Sequence, residues 1–428
     1  MNAAKDNLAL KVGVIASTYP RNEEDYAVPW MRESVSRITA RGHKVQVIAP
    51  SYKGLSSHAI DGVPVHRFRY APSAFESLTH EQGAPNKVHR PWMQALAAPY
   101  VASGTCSAWS IAKREQFDVM HVHWPFPHGV MGVAAAKATD AALVMNCHGA
   151  EFAVARRKKW VRPLLAWALK QADLVIANSE DTASKVHEIS GRESTVIPYG
   201  ATIEGSRFTA PAEANISQRS RLLFTGRLIE RKGVDYLLRA LPEVLKNHDT
   251  ELVITGAGDQ KPKLQALTDQ LGLSDRVRFL GFVSTEELNQ QYAECDVWVN
   301  PSVIDSRGDT EGLGVGSIEA YSHRKPVVAS AVGGIPDTVR DGETGLLVPE
   351  KNEQALASAI NSLLNDPTRR QRMGEAGLAF AKRRFDWDRL TDQLVMTYRK
   401  AIDLTQGRAP AEEPAFQVAT DSYARRVA

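Results

Sequence analysis

Short apolar runs typical of buried β-strands alternate with helical stretches along most of this chain, and this alternation constrains the fold more than any other feature of the sequence. The first series of runs comprises Lys11–Ser17, Lys44–Ala49, Val63–Arg69, Val119–His123, Ala142–Cys147, Leu174–Ala177 and Ser194–Ile197. The second begins near Arg221 and continues through Leu252–Thr255, Val277–Leu280, Val297–Asn300, Pro326–Ala329 and Gly345–Val348. Strands that alternate with helices form parallel sheets joined by crossover helices. Two series therefore predict two α/β units.

The chain length also suits two domains, because a single core rarely serves more than about 250 to 300 residues and this chain has 428. We place the hinge near residues 198–201, where proline and glycine interrupt the pattern. The predicted N-terminal domain spans residues 1–200, and the predicted C-terminal domain spans residues 201–384. Residues 405–428 mix proline, alanine and charge without periodicity, which predicts a disordered tail.

Composition argues against several classes of protein. Hydrophobic residues make up 43% of the chain and charged residues 24%, as in soluble globular proteins. The net charge of +3 is too small to indicate nucleic-acid binding. Cys106, Cys147 and Cys295 are odd in number and far apart, so we expect neither a disulfide framework nor a zinc site. The first residues lack the apolar core of an export signal, and we therefore expect a cytoplasmic protein.

The stretch 93–112 is the nearest approach to a membrane span, since none of its 20 residues is charged. It contains proline, glycine, glutamine, threonine and several serines, which dilute its hydrophobicity. The sequence therefore predicts a buried or interfacial helical region here.

Two acids, Glu311 and Glu319, lie eight positions apart around a glycine-spaced segment that follows the run 296–301. The glycines would let backbone N–H groups and the positive end of a helix approach a phosphate. Glu311 would lie in the loop and Glu319 on the second helical turn. One acid can then reach a sugar beyond the phosphates, and the other a ribose behind them. The alternative is a loop acid and a solvated helix acid with no ligand.

Two cations bracket a predicted turn between a strand and a helix. Arg227 follows the run 221–226, and Lys232 precedes an amphipathic helix whose apolar positions are Val234, Leu237, Leu238, Leu241 and Val244. Parallel sheets bind ligands at the carboxyl ends of their strands, where this turn would lie. A guanidinium fork and an ammonium suit a diphosphate. A solvated basic turn is the alternative.

These motifs, with the stretch 326–349 that follows them, resemble the retaining GT-B glycosyltransferases of family 4 (glycosyl transferases group 1). The similarity runs from about Val12 to Trp387 and is strongest from Arg221 to Pro349. It implies an α/β fold with two Rossmann-like parallel-sheet domains facing a cleft. The N-terminal domain would face the acceptor and the C-terminal domain would bind the nucleotide sugar. The last helix, at 385–404, would cross back to the first domain.

The resemblance also implies how the leaving diphosphate is bound. Arg227 and Lys232 would stabilise its developing charge together with the amides of Gly314, Val315 and Gly316. That arrangement reduces the need for a divalent metal, so we expect no metal and no cofactor. The donor would be a UDP- or GDP-linked sugar.

Four further residues acquire roles through the resemblance. Glu311 would bind hydroxyls of the donor sugar, Glu319 the ribose hydroxyls, and the backbone at Val283 the base. His148 follows the strand run 142–147, and the family carries a histidine in an equivalent His-Gly context against the donor sugar. His148 would accordingly bond the sugar or the transition state, and a core histidine with satisfied hydrogen bonds is the alternative.

Two other features of the predicted N-terminal domain bear on its site. His121 and His123 share one face of a strand, which makes a metal site conceivable, but no carboxylate or cysteine lies nearby at ligand spacing. The segment 20–26 contains no glycine, whereas the family usually has paired glycines in this loop against the donor phosphates. The donor contact of this loop is therefore open, and Arg21 is a candidate substitute.

The acceptor side contains a cationic and aromatic stretch at residues 156–160, from Arg156 to Trp160. Such a stretch suits an anionic membrane surface or a lipid pyrophosphate, and a solvated helix side is the alternative. The segment 306–313 is similar to the branch of the family that builds bacterial exopolysaccharide and surface polysaccharide. We therefore expect a glycan or lipid-linked acceptor, with possible peripheral contact at the inner face of the membrane.

Three other functions fit part of the sequence. A GT-B sugar-nucleotide epimerase would share the fold and the phosphate cradle, but the set of charged residues fits a transferase better. A nicotinamide-dependent oxidoreductase would need a Gly-x-Gly-x-x-Gly turn after the first strand, and the sequence has none there. A non-catalytic nucleotide-binding protein would tolerate loss of the charged residues, all of which are present.

Overall fold

The computed structural model describes residues 8–25, 27–80, 91–201 and 219–409. Their strands form two sheets. The strands of the first sheet are β1 Lys11–Ile15, β2 Lys44–Pro50, β3 His58–Ile60, β4 Val63–Phe68, β5 Val119–His123, β6 Ala142–Cys147, β7 Leu174–Ala177 and β8 Thr195–Val196. Those of the second sheet are β9 Ser220–Thr225, β10 Thr250–Thr255, β11 Val277–Gly281, β12 Val297–Asn300, β13 Val327–Ser330 and β14 Gly345–Val348.

Helices connect most of these strands. Those between strands of the first sheet are α1 Pro29–Ala40, α2 Pro91–Ala95, α3 Ala97–Glu115, α4 Pro125–Thr139, α5 Ala150–Arg157, α6 Val161–Gln171 and α7 Glu180–Ser190. Those that follow are α8 Val234–Leu245, α9 Lys261–Gln270, α10 Thr285–Glu294, α11 Val315–Ser322, α12 Glu353–Leu364, α13 Pro367–Arg384 and α14 Trp387–Thr405. Short 3-10 turns lie at Ser73–Phe75, Glu230–Lys232 and Ile335–Asp337.

The two parallel sheets predicted from the alternating pattern are confirmed. The first has the strand order β3-β4-β2-β1-β5-β6-β7-β8, and the second has the order β11-β10-β9-β12-β13-β14. All neighbours pair in parallel except β3 and β4. In both sheets the chain reverses its direction of travel beside the first strand of the unit. Ligands of doubly wound sheets bind at such a reversal.

The sequence analysis missed β3, which pairs with β4 in an antiparallel hairpin. Asp61 and Gly62 form its two-residue turn, and both have positive φ, 51° and 76°. Asp-Gly is a strong signal for such a turn because both positions favour the left-handed region. The sequence therefore contains the turn signal. The strand before it has only three residues and follows polar ones, so it does not stand out as an apolar run.

Amphipathic helices cover both sheets. In α8, for example, the five apolar positions noted in the sequence are all buried: Val234, Leu237, Leu238, Leu241 and Val244. They join a core that includes strands β9 to β14. Burying side chains of this size contributes about 1.5 to 3 kcal/mol each, so the helix is held by its packing against the sheet.

The last helix, α14, packs on the first sheet although it follows the second. The hydroxyl of its Tyr398 lies 2.8 Å from Nδ1 of His121 in β5. Asp386, just before the helix, forms a β-bridge with Ala201. The segment from Asp386 through α14 thus ties the two halves together. Residues 410–428, most of the predicted tail, lie outside the described residues.

The uncharged stretch 93–112 forms the end of α2 and most of α3. One face of this region, with Tyr100, Ala108 and Ala112, is buried in the core of the first sheet, whereas Trp109 on the other face is exposed. The sequence had predicted a buried or interfacial helical region. Nowhere in the described ranges does a helix combine the length and the apolar character that a membrane span requires.

Candidate active site

The carboxyl ends of two neighbouring strands bring the predicted catalytic cation and acid together. Lys232 follows β9 and Glu311 follows β12, and these strands are adjacent in the second sheet. The Lys232 ammonium donates a hydrogen bond directly to Oε2 of Glu311. The two residues are 79 positions apart in sequence. Only the strand order makes them neighbours.

Glu311 is the centre of a cationic cluster. Arg231 donates from Nη1 to the same oxygen, Oε2, at 3.2 Å. Burial would raise the pKa of Glu311, but the charges of Lys232, Arg231 and Arg227 outweigh that effect and lower the pKa to about 2. Glu311 is therefore ionised at neutral pH and can only accept hydrogen bonds.

Arg231 and Asp309 extend this cluster and were not among the residues predicted for the site. Their ion pair measures 3.7 Å from Nε to the carboxylate, and the Arg231 side chain is only 14% exposed. Burial raises the pKa of Asp309, and the Arg231 charge opposes the rise. Arg231 immediately precedes Lys232 in the basic turn, which was the available signal. The pairing of Arg231 with Asp309 could not be predicted without the strand order.

Arg227 differs from its two cationic neighbours. Its side chain is exposed, and within the described ranges it has no hydrogen-bond or ion-pair partner. It nevertheless lies close enough to Arg231 and Glu311 to interact with both electrostatically. An unpaired guanidinium beside a neutralised lysine is the group most available to an incoming anion.

The helix α11 starts beside these cations. Gly314 precedes it with φ of +84°, a conformation that side chains rarely adopt. The amides of Val315 and Gly316, at the first helical positions, have no acceptor among the described residues. They are the free N–H groups of a helix start, which attract anions. Glu319 lies on the second turn, as predicted, and its Oε2 accepts a hydrogen bond of 2.7 Å from Tyr292.

Val283 lies at the same edge of the second sheet, two residues after β11. The amide of Gly256, after β10, donates to the carbonyl of Gly281 at 2.6 Å. The amide of Gly226, after β9, donates in turn to the carbonyl of Thr255 at 3.2 Å. The segment that contains Val283 is thus linked to the basic turn, about two strand spacings or 10 Å away.

The two halves of the protein touch beside Glu311. A Cβ atom on Gly312 would come within 2.8 Å of the carbonyl oxygen of His148, which directly follows β6. Only glycine fits there without displacing backbone. Asp337 makes a second contact, since its carboxylate accepts a 2.6 Å hydrogen bond from the amide of Glu180 at the start of α7. The carboxyl edges of the two sheets therefore face each other.

The His148 ring is enclosed within the first half of the protein. Its Nδ1 lies 2.6 Å from the Tyr199 hydroxyl, and its Nε2 lies 3.0 Å from Nδ1 of His123. The Asn178 amide donates to the same hydroxyl at 3.2 Å, which leaves the hydroxyl hydrogen for His148. Burial lowers the pKa of His148 to about 3, so the ring is neutral. This is the environment of the core-histidine alternative, and the predicted sugar contact stays a prediction.

Glu151 supports the His148 segment. Its Oε1 accepts a hydrogen bond of 2.8 Å from the His148 amide. Its Oε2 is buried and has no hydrogen-bond partner among the described residues. Burial raises the pKa of Glu151 to about 7. A carboxyl group held at the start of α5 in this way fixes the turn that carries His148.

Arg21 of the glycine-free loop makes its contacts within the first half of the protein. Nε of Arg21 donates to Asp25 at 2.6 Å, and its guanidinium lies over the Tyr52 ring. The loop borders an open cavity of about 530 Å³ on the first half of the protein, lined by Thr18, Arg21, Asn22, Glu24, Asp25, Ala27 and His80. Whether Arg21 replaces the missing glycines stays a prediction, and Tyr26 lies outside the described residues.

The cationic and aromatic stretch is exposed. Trp160 is 59% exposed, and Leu164 and Trp167 on the same side of α6 are exposed too. Arg156, at the other end of the stretch, lies next to Gly308 of the second half, since a Cβ there would be 3.4 Å from its guanidinium. Arg156 therefore borders the cleft, whereas the tryptophans face outward.

His121 and His123 bond to other side chains. His121 bonds to Tyr398 and His123 to His148, as described above. In the part of the chain that the structure describes, no three or more histidine, cysteine or acidic side chains are grouped so as to hold a metal ion.

Two family models match the chain and divide it between them. The model described as Glycosyltransferase Family 4 matches residues 30–204. The model described as Glycosyl transferases group 1 matches residues 207–380. The first match contains β2 to β8 and the second contains β9 to β14, whereas β1 and α14 lie outside both matches.

Known proteins resemble the chain over most of its length. A GDP-mannose-dependent alpha-(1-6)-phosphatidylinositol monomannoside mannosyltransferase of Mycolicibacterium smegmatis is 29% identical over 362 residues, which are 81% of this chain and 88% of the relative. Sucrose-phosphate synthase from Thermosynechococcus elongatus has a similar fold, with a TM-score of 0.71 at 21% identity over 91% of this chain and 98% of its own. HepE of Anabaena, solved with UDP and glucose, also has a similar fold, with a TM-score of 0.68 at 22% identity. The match covers 91% of this chain and 99% of the HepE chain.

The solved structures are too distant in sequence to indicate more than the fold, and that fold has two parallel-sheet domains like those of this protein. The family models add the identity of each half. The basic turn, the two acids and the start of α11 all lie at the facing edges of the sheets. Parallel sheets of this kind bind their ligands at such edges. The chain therefore belongs to the family 4 glycosyltransferases of the GT-B fold.

Proposed function

We propose that this protein transfers a hexose from a UDP- or GDP-linked sugar to a hydroxyl of a glycan or lipid-linked glycan, with retention of the anomeric configuration. One observation carries the proposal. Lys232, Arg231 and Arg227 surround Glu311 next to the free amides at the start of α11. A diphosphate needs the cations and amides, and the adjoining sugar needs an acceptor such as Glu311.

The main task of the cations and amides in this site would be to stabilise the negative charge that develops on the leaving diphosphate. As the bond between the sugar C1 atom and the diphosphate oxygen breaks, its electron pair stays with the diphosphate. Arg227, Lys232 and the amides of Val315 and Gly316 would bind the oxygens that become more negative. Fixed hydrogen-bond donors of this kind stabilise a transition state by several kcal/mol. Removal of one such donor costs about 2.7 to 4 kcal/mol.

Retention requires the acceptor oxygen to form its bond to C1 on the face that the diphosphate leaves. We propose that a departing phosphate oxygen takes the acceptor proton, because it lies on that face and gains charge as the bond breaks. Glu311 would hold sugar hydroxyls in place, and Glu319 would hold the ribose. His148 would reach the sugar only by exchanging its bond to Tyr199 or His123 for one to a sugar hydroxyl. No metal is assigned a step.

The acceptor is the less defined substrate. The Mycolicibacterium relative acts on a phosphatidylinositol mannoside by its name, and the HepE crystals contain UDP and glucose. The exposed Trp160, Leu164 and Trp167 next to the basic residues 156–159 suit an anionic lipid surface. We therefore propose a lipid-linked acceptor at the inner face of the membrane, in the synthesis of exopolysaccharide or surface polysaccharide.

Product analysis tests the proposal. The protein is incubated with GDP-mannose or UDP-glucose labelled in the sugar, together with bacterial lipid extract, and label is followed into the lipid and glycan fractions. Transfer by the native protein and loss of transfer in Arg227→Ala are expected. Recovery of a sugar nucleotide with an altered sugar would favour the epimerase instead. Recovery of unaltered donor, despite binding, would favour the non-catalytic nucleotide-binding protein.

A further inference from the structure

A chain of hydrogen bonds leads from the interior of the second sheet to Glu319. Nε1 of Trp298, in β12, lies 3.1 Å from the hydroxyl oxygen of Thr225 at the end of β9. That hydroxyl lies 2.8 Å from the hydroxyl of Tyr292 in α10. Tyr292 lies 2.7 Å from Oε2 of Glu319. Trp298 and Tyr292 are buried, at 2% and 1% exposure, so the chain is shielded until it reaches the carboxylate.

The hydrogens in this chain can be arranged in only one way when Glu319 is ionised. An indole N–H can only donate, so the Thr225 oxygen accepts from Trp298. A carboxylate can only accept, so the Tyr292 hydrogen points to Glu319. The Thr225 hydrogen must then point to the Tyr292 oxygen. All three hydrogen bonds of this series therefore point toward Glu319, and both hydroxyl hydrogens have fixed directions.

This direction has a consequence for the other carboxylate oxygen. Oε1 of Glu319 has no protein partner in the described ranges, and the side chain is exposed. With Oε2 held by Tyr292, Oε1 remains available as an acceptor. A group that binds there must donate hydrogen bonds. Adjacent hydroxyls of a ribose meet this requirement, whereas a phosphate does not.

We infer that Tyr292, supported by Thr225 and Trp298, is a positioning residue that orients Glu319 to recognise the ribose hydroxyls of the donor. The inference rests on the proposed function, because it needs a nucleotide in the cleft. Tyr292 would not touch the ligand. Its contribution would be the fixed rotamer and the charge-assisted hydrogen bond that keeps the Glu319 carboxylate an acceptor.

The test compares ligands that differ only in the hydroxyls concerned. UDP and GDP, and their 2′,3′-dideoxy forms, are titrated calorimetrically into native protein and into Tyr292→Phe. The native protein should bind the ribose form of its preferred nucleotide at least about tenfold more tightly than the dideoxy form. In Tyr292→Phe this ratio should fall to about threefold or less, because the carboxylate loses its orientation while the ribose remains.

Tyr321→Phe is the matched control. Tyr321 is also fully buried in the second half, and its hydroxyl lies 2.8 Å from Thr344 rather than from Glu319. Its variant removes the same atom and should keep the native ratio. Thr225→Val removes the hydrogen bond one step earlier and should lower the ratio in the same direction, and it decides the matter if Tyr292→Phe does not fold.

Three outcomes would overturn the inference. A native ratio in Tyr292→Phe would show that Glu319 needs no support. An equal loss of the ratio in Tyr321→Phe would show a general effect of removing a buried hydroxyl. In both cases native binding of UDP or GDP leaves the proposed function intact. Failure of the native protein to bind either nucleotide would instead overturn the proposed function and the inference together.

Discussion

The ammonium of Lys232 donates a hydrogen bond to the carboxylate of Glu311 across the gap between the turn after β9 and the loop after β12. The cation proposed to bind the diphosphate is therefore already neutralised by the acid proposed to bind the sugar. Arg231 adds a second charge to the same carboxylate. Donor binding must reorganise this pair, so phosphate affinity and sugar affinity are expected to be coupled at Glu311.

Replacing Glu311 with glutamine should separate the two affinities. The variant frees Lys232 and Arg231, so the nucleoside diphosphate should bind about tenfold more tightly, while transfer should slow by about 100-fold because the sugar loses a charged acceptor. Unfolding should require about 3 kcal/mol less free energy, since the buried cations lose their partner. Calorimetric titration, turnover and denaturant unfolding measure the three effects.

Glu319→Gln is the control for that variant, because it changes the other acid of the pair in the same way. It should weaken nucleotide binding by about tenfold, since the carboxylate proposed for the ribose becomes neutral. Equal changes of nucleotide affinity in the two variants would contradict the separate roles of the acids.

Removing Arg227 should affect binding and leave stability unchanged. Arg227 is exposed and unpaired among the described residues, so Arg227→Ala should change the free energy of unfolding by less than about 0.5 kcal/mol. Affinity for UDP or GDP should fall by about 10- to 100-fold, because a charge-assisted contact to the diphosphate is lost. Titrations with UDP, GDP and ADP measure this effect. Arg278→Ala, an exposed arginine on β11, should retain native affinity.

Glu151 should make stability depend on pH. Its folded pKa of about 7 lies above the ordinary 4.5, so the folded state holds the proton more tightly than the unfolded state. The resulting stabilisation is full below pH 4.5 and is lost as the pH rises through 7, about 3 kcal/mol in all. In Glu151→Gln this contribution should be absent. Denaturant unfolding of both proteins at pH 5 and pH 8 gives the difference, and parallel pH profiles would contradict the prediction.

The exposed tryptophans should bind anionic membranes. Native protein should sediment with vesicles of phosphatidylglycerol and phosphatidylcholine, and the double variant Trp160→Ser/Trp167→Ser should bind at least about tenfold more weakly. High salt should also weaken binding, because the basic residues 156–159 act through charge. Phe282→Ser is the control, since Phe282 is 85% exposed on the second half of the protein. Native binding by the double variant would leave this face without its proposed role.

The basic turn and the paired acids could be predicted from the sequence because each follows a strand and precedes a helix. Local patterns of this kind identify the carboxyl edge of a sheet without a structure. The contact between Lys232 and Glu311 could not be predicted in the same way. It depends on β9 and β12 being neighbours, although two strands separate them in sequence.

Side chains that meet from distant segments were the harder part of the site. Tyr292 reaches Glu319 from a different helix, and its spacing in sequence contains no signal of that contact. The enclosure of His148 by Tyr199 and His123 likewise requires three separate segments to pack together. The sequence located His148 at the end of β6, but the partners of its ring are a property of the tertiary packing.

The contact between Gly312 and His148 is made by the backbone carbonyl of the histidine. Every amino acid supplies that carbonyl, so this contact requires a glycine at position 312 and no particular side chain at position 148, although Nδ2 of Asn178 also lies 3.2 Å from where a Cβ on Gly312 would be. A chimaera that joins this second half to the first half of a relative should therefore keep the contact as long as Gly312 is retained. The same chimaera would lose its fit elsewhere, because α14 follows the second half and packs on the first sheet through side chains such as Tyr398, whose hydroxyl meets His121.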